Sequence, residues 1–270
     1  MSDWFERQQR SAAQEPWWFW RGALRYGWPL VSVFGSLRVT GGVSEQLRRG
    51  PLLIAPNHIG NFDTFVIAIA MARIGLRARF LITGGIMDAP VVGPLLDRSG
   101  NLRVNRGKVD AMRSMQLVDI ALQHGAHLCI YQEGRVSLDP GLWPERGKTG
   151  LARIALDHDV PVIPVAQWGA HEVTKYEDLR AMLTSTATSP LRRPKLQVHF
   201  GEPVDLSGLQ NGRPGDAIKA RNRIAAAITR DLVPLRQDEL ERPRFRDETR
   251  PIADRPTAAF PGGVVPDVLP

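Results

Sequence analysis

Two kinds of apolar run alternate along this chain. Short continuous runs bounded by Gly, Pro or charge predict buried strands at 51–55, 79–83, 101–105, 128–131, 160–165 and 196–200. Longer stretches between them carry helical patterning. Residues 63–74 (DTFVIAIAMARI) predict an almost wholly apolar helix capped by Asp63. Residues 110–124 predict an amphipathic helix, with Ala111, Met115, Val118 and Leu122 on one stripe and Gly125 as its stop. Residues 217–232 align Ile224, Ile228 and Leu232, and shorter helices are predicted over 90–96 and 149–157. Alternating strands and helices predict an α/β fold, a sheet flanked by helices in a single domain.

The two ends depart from this rhythm. Trp4, Trp17, Trp18, Trp20 and Trp28, five of the seven Trp, fall in the first 28 residues, beside Arg21 and Arg25. Residues 1–40 read as an amphipathic entry, helical after Pro16 at a first-turn position. Asp3, Glu6, Arg7 and Arg10 mix charges where a signal peptide would be basic and then apolar. Arg21, Arg25 and Pro29 interrupt the run from 17 to 39, which therefore does not predict a membrane span. Aromatic rings beside arginines predict contact with a membrane surface through Trp17, Trp18, Trp20 and Trp28. The alternative is that these rings pack on the protein's own core. Residues 241–270 hold six of the 21 Pro and balance five Arg with five acids, which predicts a flexible tail. The expected division is an interfacial segment at 1–40, a catalytic domain at 41–240 and the tail.

Charge narrows the partners. Lys and Arg total 35 against 28 Asp and Glu, a net +7. All of that surplus sits on residues 1–240, with 30 basic and 23 acidic residues. It points to nucleic acid, a phosphorylated ligand or a membrane surface. The single cysteine, Cys129, excludes an internal disulfide framework and a Cys-rich zinc module.

The strand at 51–55 runs into Pro56-Asn57-His58-Ile59-Gly60-Asn61-Phe62-Asp63, and a helix follows. Ligands of open α/β sheets gather at such carboxyl strand ends. On a continuous helix, residues five apart lie about 140° apart, so His58 and Asp63 need a turn to meet, with Gly60 as its pivot. Asp63 can then hold one imidazole nitrogen and leave the other to take a proton. An N-cap beside an ordinary loop His remains the structural alternative. Gly100 to Arg106 carries Arg103 and Arg106 through a strand, and Glu133-Gly134-Arg135-Val136-Ser137 leaves the end of the strand at 128–131.

These blocks, in this order, resemble the glycerolipid acyltransferase superfamily typified by 1-acyl-sn-glycerol-3-phosphate acyltransferases. Asn57, His58 and Asp63 match its NHxxxxD block, and Gly100 and Arg106 match its second. Glu133, Gly134 and Ser137 match its Glu-Gly-Thr-Arg-Ser run, and Val160 to Val165 its fourth block. Lys148-Thr149-Gly150 also matches. The likeness covers roughly residues 50–205. Where the family has Thr then Arg, this chain has Arg135 then Val136, and Gln132 replaces the usual Pro.

The resemblance implies transfer of a fatty acyl group from acyl-CoA or acyl-carrier protein to a hydroxyl of lysophosphatidate or a related lysophospholipid. His58 is the expected general base and Asp63 its orienting carboxylate, as in a hydrolase triad whose nucleophile is the acceptor. Backbone N–H groups are expected to stabilise the oxyanion. Arg106, with Arg135 or Lys148, is expected to clamp a phosphate. Glu133 would hold the arginines or bind acceptor hydroxyls, and Asn57, Gly134 and Ser137 complete the expected binding set. Thiolate leaves readily, so no metal or cofactor is expected. The expected location is the cytoplasmic face of the cell membrane.

Other readings are weaker. Gly147-Lys148-Thr149 lacks the P-loop's upstream Gly, because residue 142 is Leu. No Gly-x-Ser-x-Gly motif marks a serine hydrolase. His124 and His127 lack a completing carboxylate or Cys for a metal. No nucleic-acid-binding motif uses the arginines. An inactive lipid-binding scaffold, or an acyltransferase for glycerol 3-phosphate or a glycolipid, stays open.

Overall fold

The computed structural model describes residues 3–105, 108–175 and 179–238. The first elements are α1 (Asp3–Ala13), α2 (Trp18–Tyr26), α3 (Trp28–Phe34), β1 (Ser36–Gly41), α4 (Glu45–Arg48), β2 (Leu52–Pro56) and α5 (Asp63–Arg73). Next come β3 (Ala78–Thr83), α6 (Gly84–Met87), α7 (Val92–Arg98), β4 (Leu102–Val104), α8 (Lys108–Gln123) and β5 (His127–Cys129). The chain closes with α9 (Gly150–His158), β6 (Val162–Trp168), α10 (Leu179–Arg192), β7 (Lys195–Phe200) and α11 (Asp216–Leu232). Short 3-10 turns at Ala170–Glu172 and Val233–Arg236 follow β6 and α11.

The strands make one sheet in the order β1-β7-β6-β2-β5-β3-β4. From β6 to β4 the strands are parallel, while β7 runs antiparallel to β6 and β1 parallel to β7. The fold is therefore α/β, as the alternation of patterns predicts, with a reversed pair at one edge. Central β2 is buried at all five positions, which explains its unbroken apolar run. Its side chains alternate between two cores. Leu52 and Ile54 join residues of α2, α3 and α5, while Leu53 and Ala55 join residues of α1, α8, α9 and α11.

Several elements differ from the sequence pattern. Asp63 is the first residue of α5 and Phe62 sits at its N-cap. The Asp63 carboxylate turns back to the N–H groups of Ile59 and Gly60 instead of capping the helix. The strand expected at 128–131 ends at Cys129, because Tyr131 enters a turn closed by the Gly134 N–H. The helix expected at 90–96 runs Val92–Arg98. Helix α10 escapes the pattern, since its LTSTATSP stretch is poor in helix formers. It is held from outside, by Ser189 Oγ donating to the Phe34 carbonyl at 2.6 Å. Strand β1 draws residues 36–41 into the sheet, so the entry segment does not separate from the domain at residue 40. The tail expected at 241–270 lies outside the described residues.

Helix α2 starts at Trp18, two residues after Pro16. Trp17 and Trp18 are exposed, at 39% and 69%. Trp20 and Trp28 instead pack against the core under α5, and the Arg73 guanidinium lies 3.8 Å over the Trp28 ring. That corrects the expectation for these two: their rings are used on the protein's own interior. Among the described residues no helix is long and apolar enough to cross a membrane.

Candidate active site

The loop from β2 to α5 places His58 and Asp63 at the carboxyl edge of the parallel strands. The His58 imidazole, about one-fifth exposed, lies with Nδ1 2.8 Å from Asp63 Oδ2. Asp63 is wholly buried, and the same oxygen accepts the N–H groups of Ile59 at 2.8 Å and Gly60 at 3.1 Å. An acceptor already engaged by two donors faces Nδ1, so Nδ1 carries the proton and Nε2 keeps its lone pair. Gly60 does this without left-handed backbone. A Cβ there would lie 3.3 Å from His171 Cα, so close approach sets the requirement. The Tyr131 ring stacks beneath the imidazole, with centroids 4.2 Å apart and planes at 25°.

A second loop pins the His58 backbone on both sides. Its N–H donates to Glu133 Oε1 at 3.0 Å, and its carbonyl accepts the Ser137 N–H at 2.8 Å. The other Glu133 oxygen accepts the Glu145 N–H at 3.0 Å. Burial pushes the Glu133 carboxyl up to about 8, against the pull of those two N–H donors. Glu145 in turn accepts from the Leu138 N–H and from Arg135, each at 2.8 Å. Glu133 therefore touches neither Arg135 nor open space, contrary to the expectation that it would hold the arginines. Ser137 is also turned inward, its hydroxyl donating to the Trp143 carbonyl at 2.8 Å.

Asn57 is buried and locked to Gln167 of β6. Its amide donates to the Gln167 carbonyl at 3.1 Å, and its oxygen accepts the Gln167 N–H at 2.8 Å. The Gln167 side chain returns a bond to the Asn57 carbonyl at 2.8 Å. The geometry makes Asn57 a strand-end fastener, not an open substrate contact. Gly134 takes a left-handed backbone (φ +69°) that lets the loop turn beneath Lys148, whose Nζ would lie 3.5 Å from a Cβ there. Lys148 is exposed, and Arg135 is half exposed while paired with Glu145. Arg103 is engaged bidentately by Asp88 at 2.6 and 2.7 Å. Arg106 lies outside the described residues.

Sequence reading missed Tyr131, Glu145 and Gln167. Only Gln167 leaves a visible trace, as a polar residue inside the apolar run of β6. It also missed the clamp beyond them. The Arg236 guanidinium, wholly buried, lies 4.0 Å from the Trp143 ring and 4.1 Å from that of Trp168. It donates to the Gly141 carbonyl and so braces the loop that carries Glu145.

Residues 38–168, from β1 to the end of β6, match the family model described as Acyltransferase. Over 139 residues the chain is 29% identical to the lyso-ornithine lipid O-acyltransferase of Pseudomonas aeruginosa. That alignment covers 52% of this chain and 51% of the relative, so the match spans about half of the curated protein's length. The fold is similar to that of the 1-acyl-sn-glycerophosphate (LPA) acyltransferase PlsC from Thermotoga maritima, with a TM-score of 0.60 at 17% identity. That likeness covers 80% of this chain and 79% of the other. Residues 38–168 are thus similar to the family described as Acyltransferase, and the chain shares its fold with that neighbour.

Proposed function

We propose that the protein is an O-acyltransferase that moves a fatty acyl group from an acyl thioester, acyl-CoA or acyl-carrier protein, to the hydroxyl of a lysophospholipid-type acceptor. The observation that carries this reading is His58, whose Nδ1 faces the buried carboxylate of Asp63 while Nε2 faces away from it. Nε2 takes the acceptor's hydroxyl proton as its oxygen attacks the thioester carbonyl. The C–S bond then breaks, and the imidazolium returns the proton to the departing thiolate. Asp63 favours the imidazolium in between. Because thiolate leaves readily, this chemistry calls for no cofactor. Lys148, Arg146 and Arg135 are exposed on the loop that carries Glu133 and are described cations available to an anionic headgroup.

Acceptor identity is proposed as lysophosphatidate or a near relative. The Arg135–Glu145 pair favours one second reading, an acceptor without phosphate, because it already engages the guanidinium. Trp17, Trp18, Tyr26, Leu30 and Val33, with Phe65 on α5, are exposed along the α2–α3 layer and support seating at a lipid surface, in the cell the cytoplasmic face of the membrane. Purified protein given a labelled acyl thioester with lysophosphatidate, lyso-ornithine lipid and glycerol 3-phosphate in turn tests the function. Product with an acceptor in the parent, and none with His58→Ala of unchanged melting behaviour, is the expected result. No product with any acceptor would favour a lipid-binding scaffold.

A further inference from the structure

A cleft of about 570 Å³ opens between α1, the linker to α2 and the end of α7. Arg7 and Arg10, three apart on α1, line it together with Arg98. Both acids at the cleft are already engaged. Asp97 accepts the Gln8 amide, and Glu15 pairs with Arg21 at 2.6 Å and with Arg77. Among the described residues no carboxylate pairs with Arg7, Arg10 or Arg98. Asp97, bonded to a neutral amide, leaves one carboxylate charge against three guanidinium groups that pair with no carboxylate, so the cleft stays net positive and favours an anion, and the forked donors suit phosphate.

The walls are fixed before any ligand arrives. Ser11 Oγ donates to the Asp97 carbonyl at 2.5 Å, and the Trp17 N–H to the Arg98 carbonyl at 3.3 Å. Arg79, buried, holds the Ala12 carbonyl at 2.9 Å. The Gln8 oxygen accepts the Arg103 N–H at 2.7 Å. A cleft with its walls held in this way binds at a lower ordering cost. Trp17 lines it and meets Trp18 edge-on, with centroids 6.2 Å apart. Exposed indoles beside arginines suit the boundary between headgroups and acyl chains. The cleft sits where α7 leads into β4, at the amino edge of the parallel strands, and His58 sits at the carboxyl edge. A ligand here therefore does not meet the base.

We propose that this cleft holds the phosphate of an acidic phospholipid headgroup and so orients the protein on an anionic bilayer. This rests on the reading that the protein works at a lipid surface, and names the lipid charge it selects.

The test is co-sedimentation of the full chain with vesicles of phosphatidylcholine alone or mixed with phosphatidylglycerol. Each arginine near an anionic surface contributes about fivefold, so Arg7→Ala/Arg10→Ala/Arg98→Ala should bind the mixed vesicles on the order of a hundredfold more weakly. These side chains are exposed, so the melting curve serves as the folding control. A charge-matched triple elsewhere, Arg38→Ala/Arg49→Ala/Arg153→Ala, should keep binding within a few fold. Equal loss in both triples would mean diffuse attraction and overturn the site. So would undiminished binding by the cleft variant. A saturable change in tryptophan fluorescence with inorganic phosphate or glycerol 3-phosphate, beside unchanged vesicle binding, would assign the cleft to a soluble phosphate and overturn the lipid source. A parent chain that binds neither vesicle refutes the lipid-surface reading and the cleft with it. None of these readouts depends on acyl transfer, so they stand apart from the His58 mechanism.

Discussion

Replacing Asp63 with Asn separates what the carboxylate does by charge from what it does by position. One oxygen, Oδ2, accepts all three N–H groups, from His58 Nδ1, Ile59 and Gly60. The other, Oδ1, is buried and has no hydrogen-bond partner among the described residues. An Asn can therefore put its oxygen in the Oδ2 place, keep all three bonds and set its NH₂ where Oδ1 stood. The opposite orientation would break three buried hydrogen bonds, at roughly 1–3 kcal/mol each. Imidazole tautomer and tilt should thus survive, and only the charge is lost. The imidazolium formed during transfer then loses its counter-charge. The amide dipole returns part of this, so kcat should fall by about 10² to 10³ with KM little changed. Steady-state transfer from a labelled thioester, with melting curves for folding, measures it. A loss below about fivefold would show that the carboxylate does not stabilise a charged imidazole. A variant as inactive as His58→Ala would show that orientation was lost too, against the bonding pattern described.

Glu133, raised to about 8 by burial, holds a proton in the folded protein over a range where the unfolded chain, at its ordinary 4.5, has released it. Its contribution is complete below that ordinary value and is lost as pH rises toward about 8, so melts across this window should show a slope that Glu133→Gln removes. His127 behaves in the opposite sense. Its Nδ1 accepts the Arg77 N–H, its Nε2 donates to the Arg48 carbonyl, and burial lowers its pKa. The unfolded chain takes up that proton first, so stability present above 6.5 should decline on acidification, and His127→Gln should flatten that limb. Arg236→Met should lower stability by about 2–4 kcal/mol in denaturant titrations, and Arg236→Lys should restore it only in part, because a point charge cannot fill the slot between two rings.

Much of this molecule was legible because its signals are local. Continuous apolar runs gave β2 and β6, and a 3.6-residue stripe gave α8 and α11. His58 and Asp63 are visible because six consecutive residues contain both. What depends on long-range pairing was not legible. Glu133 reads as a site acid, yet its carboxylate meets the N–H groups of His58 and Glu145, 75 and 12 residues away. Asn57 reads as part of a motif, yet its partner is 110 residues on. Trp20 and Trp28 share the composition of Trp17 and Trp18, and only the packing of α2 and α3 on α5 separates rings that face inward from rings that face out.

Base and carboxylate share one short loop, so the His58–Asp63 contact itself is made within six consecutive residues. Arg135 and Lys148 stand on a different stretch, which reaches His58 through the Glu133 carboxylate, the Ser137 N–H and the stacked Tyr131 ring. The exposed side chains at 135 and 148 take no part in those three contacts, so their charge and shape can change while the contacts persist. Substitution at those two positions can thus alter the charge beside the site with the His58–Asp63 pair left in place.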